Sequence, residues 1–496
     1  MYSLGIDIGS SSIKVSIFDI KEGVSKASAS FPEKELDIIS PEKGWAEQDP
    51  SVWWDCFLKA FSLATAKSAI PVDAIVSIGI SYQMHGLVLV DKEQKVLRSS
   101  IIWCDSRAVP YGEKAFAEIG EHYCVNKLLN SPGNFTAAKL AWVKENEPGL
   151  FSKVHKFMLP GDFIAMKLSG NITTTATGLS EGIFWDFNKR QVSEGVLGYF
   201  GFHSDMVPEL VPAFGVQSSI SAEISKSTGL NEGTPIAYRA GDQPNNAFSL
   251  NVLNPGEVAA TAGTSGVIYA VTDENTGDKL SRVNTFLHVN DNEEKTRNGI
   301  LLCVNGTGIL NSWLRKNIAS ENISYEEMNE LAAQVEPGSE GLFFYPFGNG
   351  AERIFLNKLL LSSMENLDFN RHNSSHVFRA AQEGIVFALK YGFDVLNQLG
   401  VEGKTIRAGK ANMFLSPVFR EVFVNTINAD LELYETDGAE GAARGAALGA
   451  GFYTSEKEAF KSLKCLGKYS PEPALQNKYR DLYNQWKTQL QTKHNL

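Results

Sequence analysis

The residues best suited to do chemistry in this chain lie near its middle, in Ala240-Gly241-Asp242-Gln243-Pro244-Asn245-Asn246. Asp242 follows an apolar run, 234–238, of the kind that forms a short buried strand, so the Gly-Asp pair delivers one carboxylate at a strand's end. A carboxylate placed there can take up a proton as a general base, although a lone Gly-Asp also suits a turn whose Asp bonds its own backbone. Two other stretches bear on the choice. Gly9-Ser10-Ser11-Ser12 separates strand-like runs at 4–8 and 13–18, and Gly263-Thr264-Ser265-Gly266 separates similar runs at 257–262 and 267–271. Turns of glycine and hydroxyl residues offer N–H and O–H donors at close quarters, which is how loops hold phosphate oxygens. Lys14 can add positive charge there, and Asp7 can orient a metal ion or its waters. An ordinary Ser-rich hairpin has the same look.

A third polar group follows the continuous apolar run 74–80: Ser81-Tyr82-Gln83-Met84-His85-Gly86. A His flanked by Gln and Gly at a strand end can hydrogen-bond a polyol or a carbonyl oxygen, or can be structural. The strand-like run 100–103 closes with Trp103 and leads into Cys104-Asp105-Ser106-Arg107.

The elements that must position these groups read as α/β. A helix begins at Ser51 with Trp53, Trp54, Phe57, Leu58 and Phe61 on one broad face. The pattern from 111 to 168 is helical, clearest at 138–143; 171–185, rich in Thr, Gly and Ser, reads as a loop or a short hairpin, and 188–227 carries no clear period. Gly306-Thr307-Gly308 precedes a helix through Leu310, Trp313 and Leu314, a strand at 341–347 enters Gly348-Asn349-Gly350-Ala351-Glu352-Arg353, and a long helix covers 375–399. Ala408-Gly409-Lys410-Ala411-Asn412 opens a further helical stretch whose amides can face an anion or a nucleotide. Gly438, Gly441, Gly445 and Gly449 in an Ala-rich run point to close helix packing. The hydroxyl hairpin recurs early in each half, which suggests an internal duplication with one nucleotide held between two lobes.

Bulk properties narrow the classes. A chain of 496 residues is too long for one compact core. Its net charge of -11 argues against a nucleic-acid binder. Five scattered cysteines, an odd number without metal-type spacing, suit reduced thiols in the cytosol. With no basic-then-apolar leader and no run of about 18 apolar residues, neither secretion nor a membrane span is expected.

With these pieces in order, the sequence resembles the FGGY carbohydrate kinases, and within that family the xylulokinases. The resemblance rests on Gly5-Ile6-Asp7-Ile8-Gly9-Ser10-Ser11-Ser12 with Lys14, Gly44-Trp45-Ala46-Glu47-Gln48-Asp49-Pro50, Gln83-Met84-His85-Gly86 and Lys139-Leu140-Ala141-Trp142-Val143. It continues through Gly241-Asp242, Gly263-Thr264-Ser265-Gly266, Glu352-Arg353 and Gly441-Ala442-Ala443-Arg444-Gly445-Ala446, in family order over nearly the whole chain. It implies two ribonuclease-H-like (actin-like ATPase) domains forming a clamp, an N-terminal one over 1–247 with the sugar site, first phosphate loop and base, and a C-terminal ATP-binding one over 248–496. Carried over, it makes Asp242 the catalytic base with Asp7 beside it near Mg2+. Met84, His85, Asp242 and Gln243 contact the sugar, and Trp103 is counted with them. Ser10, Ser11, Ser12, Lys14, Gly263 and Thr264 approach the ATP phosphates, while Gly308, Gly409 and Asn412 flank the nucleotide. The implied reaction is ATP-dependent phosphorylation of D-xylulose to its 5-phosphate. Another ketose or polyol, such as ribulose or glycerol, and a non-catalytic nucleotide clamp stay open as alternatives, as does a homodimer. Three positions depart from the family pattern: Ala408-Gly409-Lys410 replaces a run of three glycines, Asn134 takes the place of a different residue type, and Asn366 stands where glycine is common.

Overall fold

The computed structural model describes residues 1–319 and 323–496. Its framework is two sheets. The first holds β1 (Tyr2–Ile8), β2 (Ile13–Asp19), β3 (Val24–Phe31), β4 (Ile75–Tyr82), β5 (Phe214–Ser219) and β6 (Pro235–Gly241), in the order β5-β6-β4-β1-β2-β3. The second holds β7 (Val258–Ala262), β8 (Gly266–Thr272), β9 (Asn284–Leu287), β10 (Asn298–Val304), β11 (Thr405–Gly409), β12 (Asp430–Tyr434) and β13 (Cys465–Tyr469), in the order β9-β10-β8-β7-β11-β12-β13. The run β3-β2-β1-β4-β6 has two antiparallel joints and then two parallel ones, and β10-β8-β7-β11-β12 repeats that sequence of joints. Each run gains one more antiparallel strand beyond its last, β5 and β13. The recurrence read in the two hairpins is therefore a duplication of the whole topology.

Side-chain alternation explains why these strands sit where they do. Leu4, Ile6 and Ile8 join Trp53, Phe57 and Phe61 of helix Pro50–Ser68 in one core. That helix starts where Asp49 accepts from Ser51 N and Pro50 fills its first turn. Gly5 and Asp7 take the opposite face. A Cβ on Gly5 would fall on the carbonyl oxygen of Ala439, and one on Gly79 of β4 on that of Ala442, so the glycines let helix Gly438–Gly449 lie directly on the sheet.

That helix comes from the second half of the chain but covers the first sheet, with Ala442, Ala443, Ala446 and Ala447 packed on Phe18, Tyr238 and Ala240. The exchange is mutual. Helix Asp242–Ser249 leaves β6 of the first sheet, yet its Ala247 joins Ala259, Tyr269 and Val271 of the second. The two helices touch where Gly441 meets Ser249 and Asn245. The Gly-Ala run is a close-packing surface, as its spacing suggests, and the crossing ties the lobes together.

Two segments differ from their sequence pattern. Residues 171–185 hold strand Thr173–Thr175, paired in parallel with Glu209–Val211, and helix Ala176–Glu181. β-branched threonines favour the strand, and Thr175 Oγ1 caps the helix by accepting from Gly178 N at 3.0 Å. Within 111–168 the helices Thr136–Asn146 and Pro160–Ser169 are separated by strand Lys156–Met158, with Pro148 and Pro160 restarting the chain.

Candidate active site

The parallel strands β1, β4 and β6 end side by side, with Asp7 in register with Ser81 and Gly241 with Tyr82. Polar residues at the carboxyl ends of parallel strands are where open α/β sheets bind ligands. Asp7 is the penultimate residue of β1, and Asp242 is the first residue of the helix that follows β6. Both are half-buried, enclosed by protein yet open to the cleft. Burial raises the Asp242 carboxyl to about 7, and the nearby charge of Asp7 adds to the rise against donors from Gln243. Burial likewise raises Asp7 to about 6; the Ser81 hydroxyl and Lys14 oppose the shift and Asp437 adds to it. A carboxylate ionising near neutrality is suited to accept a proton from an alcohol.

His85 sits in a left-handed backbone conformation, φ 62°, in the turn after β4. Its Nδ1 lies 3.0 Å from the carbonyl oxygen of Glu181, an acceptor, so Nδ1 carries the proton. Burial and the charges of Lys139 and Arg353 push the imidazole down to about 3. The ring is therefore neutral, and Nε2 is left as an acceptor. Phe135 meets it edge-on at 4.7 Å, and Phe286 from β9 of the second lobe lies at 5.3 Å. The turn is held by Lys139, which is fully buried and whose Nζ donates to the carbonyls of His85 (2.8 Å) and Ile102 (2.9 Å). Burial lowers this amine to about 7. Met84 is buried against Gly241, a Cβ on which would lie 2.7 Å from Met84 Cγ and 2.6 Å from Glu181 Oε2. Gln243 Oε1 lacks a protein partner. Trp103 is 45% exposed and its Nε1 donates to Ser10 Oγ at 3.4 Å, so the first hydroxyl turn borders the same cleft.

The second hydroxyl turn faces a cavity of about 1020 Å³. Gly263, Thr264, Gly308 and Asn412 line it, with Tyr325 and Pro417 among the apolar walls and Glu35 from the first half of the chain at its edge. Gly308 is required there: its N donates to Gly263 O at 2.8 Å, and a Cβ would fall on that oxygen. Gly409, at the end of β11, stands outside the lining. The departures from the glycine pattern are accommodated: Ala408 is buried within the sheet, the Lys410 side chain is exposed, and Gly409 has nothing nearer than Thr436 O at 3.7 Å from a Cβ. Asn366 has φ 64°, a left-handed position that Asn tolerates almost as glycine does. Asn134 donates from Nδ2 to the carbonyl of Asp105. Lys14 is already paired, 2.6 Å from Asp437, the N-cap of helix Gly438–Gly449.

The donor set fits a lightly held magnesium ion. The charge of Asp7 bears on Asp242, while no group of three or more His, Cys, Asp or Glu forms a metal cage among the described residues. Mg2+ with mostly waters and phosphate oxygens as ligands needs only one or two carboxylates.

Against known proteins, the model of the FGGY family of carbohydrate kinases, N-terminal domain, matches residues 2–249, and that of the family's C-terminal domain matches residues 258–453. The chain belongs to the FGGY family of carbohydrate kinases. An FGGY kinase is a phosphotransferase. The chain is 29% identical to a xylulose kinase of Bacillus subtilis over 98% of its own length and 96% of the relative's. It is also 27% identical to a gluconokinase of the same organism, over 88% and 84% of the two chains. The solved structure of a xylulose kinase from Rhodospirillum rubrum superposes with a TM-score of 0.88 at 24% identity, covering 100% of this chain and 99% of that one, and shows the shared fold. Among the described residues, no helix is long and apolar enough to cross a membrane.

Of the site residues read from sequence, Asp7 and Gln243 bear directly on Asp242, Met84 packs at Gly241, His85 bonds Glu181, whose charge also bears on Asp242, and Trp103 meets Ser10, while Gly263, Thr264, Gly308 and Asn412 line the cavity. Sequence reasoning missed Glu181, Ser81 and Asp437, and gave Lys139 and Arg353 no role. Ser81, Lys139 and Arg353 belong to stretches already noted, so a signal existed for them; Glu181 lies in 171–185, which reads only as a loop or a short hairpin.

Proposed function

We propose that this FGGY kinase transfers the γ-phosphoryl group of ATP to the terminal hydroxyl of D-xylulose, giving D-xylulose 5-phosphate. The observation that carries the reading is the placement of Asp242: a carboxylate raised to about 7, at the ends of three parallel strands and close to Asp7. Asp242 takes the hydroxyl proton as the sugar oxygen attacks phosphorus. His85 Nε2 and the Gln243 side chain orient the sugar, with Met84 and Trp103 as its walls. The hydroxyl turns, Ser10 to Ser12 with Lys14 and Gly263-Thr264, receive the phosphates, and Gly308, Gly409 and Asn412 flank the nucleotide. Asp7 would hold Mg2+, which would supply neutralisation of the phosphate charge.

The division of labour follows the lobes, sugar and base from 1–247 and ATP from 248–496, and the large cavity beside the second turn supports the latter. The relatives and Gln83-Met84-His85-Gly86 favour xylulose; the gluconokinase relative favours an aldonic acid as the second candidate. The reading places the enzyme in the cytosol, which its five unpaired cysteines support.

A panel of D-xylulose, D-ribulose, glycerol and D-gluconate in a coupled ADP-release assay tests the proposal. D-Xylulose is expected to give the highest kcat/KM, and Asp242→Ala is expected to abolish turnover while the protein stays folded. A higher kcat/KM on another substrate, or an active folded Asp242→Ala protein, overturns it.

A further inference from the structure

Among the cations at the mouth of this cleft, one has no partner. Lys14 is committed to Asp437 at 2.6 Å, and both donor contacts of Lys139 go to backbone carbonyls. Arg353 has neither an ion pair nor a side-chain hydrogen bond among the described residues, although it is only partly exposed. Its guanidinium lies 5.4 Å from the centroid of the Phe135 ring, the ring that packs on His85 at 4.7 Å, and its charge helps keep His85 neutral. Arg353 belongs to the second lobe, whereas Phe135 and His85 belong to the first. Its charge also bears on the Cys303 thiol, which hydrogen-bonds the Ser265 hydroxyl of the second hydroxyl turn and lies within electrostatic reach of Asp242.

The backbone beneath Arg353 is fixed. The carboxylate of Glu352 accepts from Asn305 N at 3.1 Å to each oxygen, Ile354 and Phe355 are buried, and the three residues 353–355 make one tight helical turn. A half-buried guanidinium on a fixed support, with no ion pair among the described residues, is suited to meet an anion. The anion passing between Ser265, Asp242 and His85 in a kinase of this family is the phosphoryl group in flight.

We propose that Arg353 is a further catalytic residue, contributed by the second lobe, whose guanidinium contacts the oxygens of the phosphoryl group during its transfer to the sugar. In that step the bond from the sugar oxygen to the γ-phosphorus forms. The bond from phosphorus to the β,γ-bridging oxygen breaks, and ADP leaves with the electron pair. The hydroxyl proton goes to Asp242, and Arg353 stays protonated throughout. Charge placed where it develops in the transition state acts on kcat rather than on substrate affinity. The inference rests on the kinase reading of the same cleft.

The test compares wild type with Arg353→Gln and Arg353→Lys, each checked for folding by its melting temperature. Wild-type turnover of D-xylulose decides the substrate reading; should D-xylulose fail, the preferred substrate of the panel takes its place and the Arg353 comparison proceeds unchanged. Arg353→Gln is expected to lower kcat by roughly 100- to 1000-fold with the sugar KM within about threefold, and Arg353→Lys to recover part of the loss. Calorimetry supplies a readout independent of turnover: ADP with aluminium fluoride, a mimic of the phosphoryl group in flight, is expected to bind wild type in the presence of sugar far more tightly than Arg353→Gln, while ADP alone binds both alike. A kcat within about threefold of wild type, a loss expressed only in the sugar KM, or equal binding of the fluoride complex overturns the proposal.

Discussion

Asp242 needs its carboxylate ionised to accept a proton, and its ionisation lies near 7 because burial and the Asp7 charge both disfavour the anion. The sign follows directly: as pH falls through 7, the fraction of unprotonated Asp242 falls and kcat/KM falls with it. Asp7, raised to about 6, takes up its proton over the next unit, so the acid limb is expected to be steeper than that of a single group. A pH–rate profile from pH 5 to 9 should show that limb centred near 7 with a plateau above about 8; a flat profile across 6–8 would falsify the assigned base. His85, held near 3, stays neutral across this range and adds no limb. Taken alone, Gly241-Asp242 spells a turn Asp and a catalytic Asp alike; the motifs in both halves of the sequence point to the base, and the structure adds a neighbouring carboxylate.

At the scale of elements, the contact between helix Gly438–Gly449 and the first sheet sets both stability and the position of Asp7. Gly438 packs directly on the Asp7 carboxylate, and Gly5 and Gly79 admit the helix backbone. Gly79→Ala places a methyl group on the Ala442 carbonyl, which only a shift of the helix relieves. Overpacking of this kind costs roughly 1–3 kcal/mol. Thermal denaturation is expected to show a clear fall in the midpoint for Gly79→Ala and almost none for Gly149→Ala, a site with nothing within 4 Å of the new methyl. Equal midpoints for the two variants would contradict the packing argument. The hairpins β1–β2 and β7–β8 were legible because period-2 alternation shows in the residue types. Helix Ala176–Glu181 was not, because its Thr, Gly and Ser residues fit loop, strand and helix caps equally well.

For the whole molecule, each lobe lends a helix to the other, and the two helices cross where Gly441 meets Ser249. Such a crossing is a natural pivot: lobe rotation about it moves the second-lobe phosphate turn and Arg353 relative to Asp242 while both sheets stay intact. On the proposed reading sugar and nucleotide bind between the lobes, so both together should favour the closed arrangement. Solution X-ray scattering is expected to show a smaller radius of gyration with D-xylulose and a non-hydrolysable ATP analogue than with either alone. No change with both ligands at saturating concentration would argue for a rigid clamp.

The sequence by itself determined the duplicated α/β plan, the two hydroxyl turns and the candidacy of Asp242, since these depend on local alternation, turn chemistry and residue order. It also indicated the family through motifs spread along nearly the whole chain. Only the tertiary structure decided which helix covers which sheet, that Lys14 pairs with Asp437, that Lys139 holds the His85 turn, and that Arg353, with no ion pair among the described residues, lies over the Phe135 ring. The physical reason is range. Lys14 and Asp437 are 423 positions apart, and no periodicity in a chain encodes which distant charges will meet once the lobes are packed.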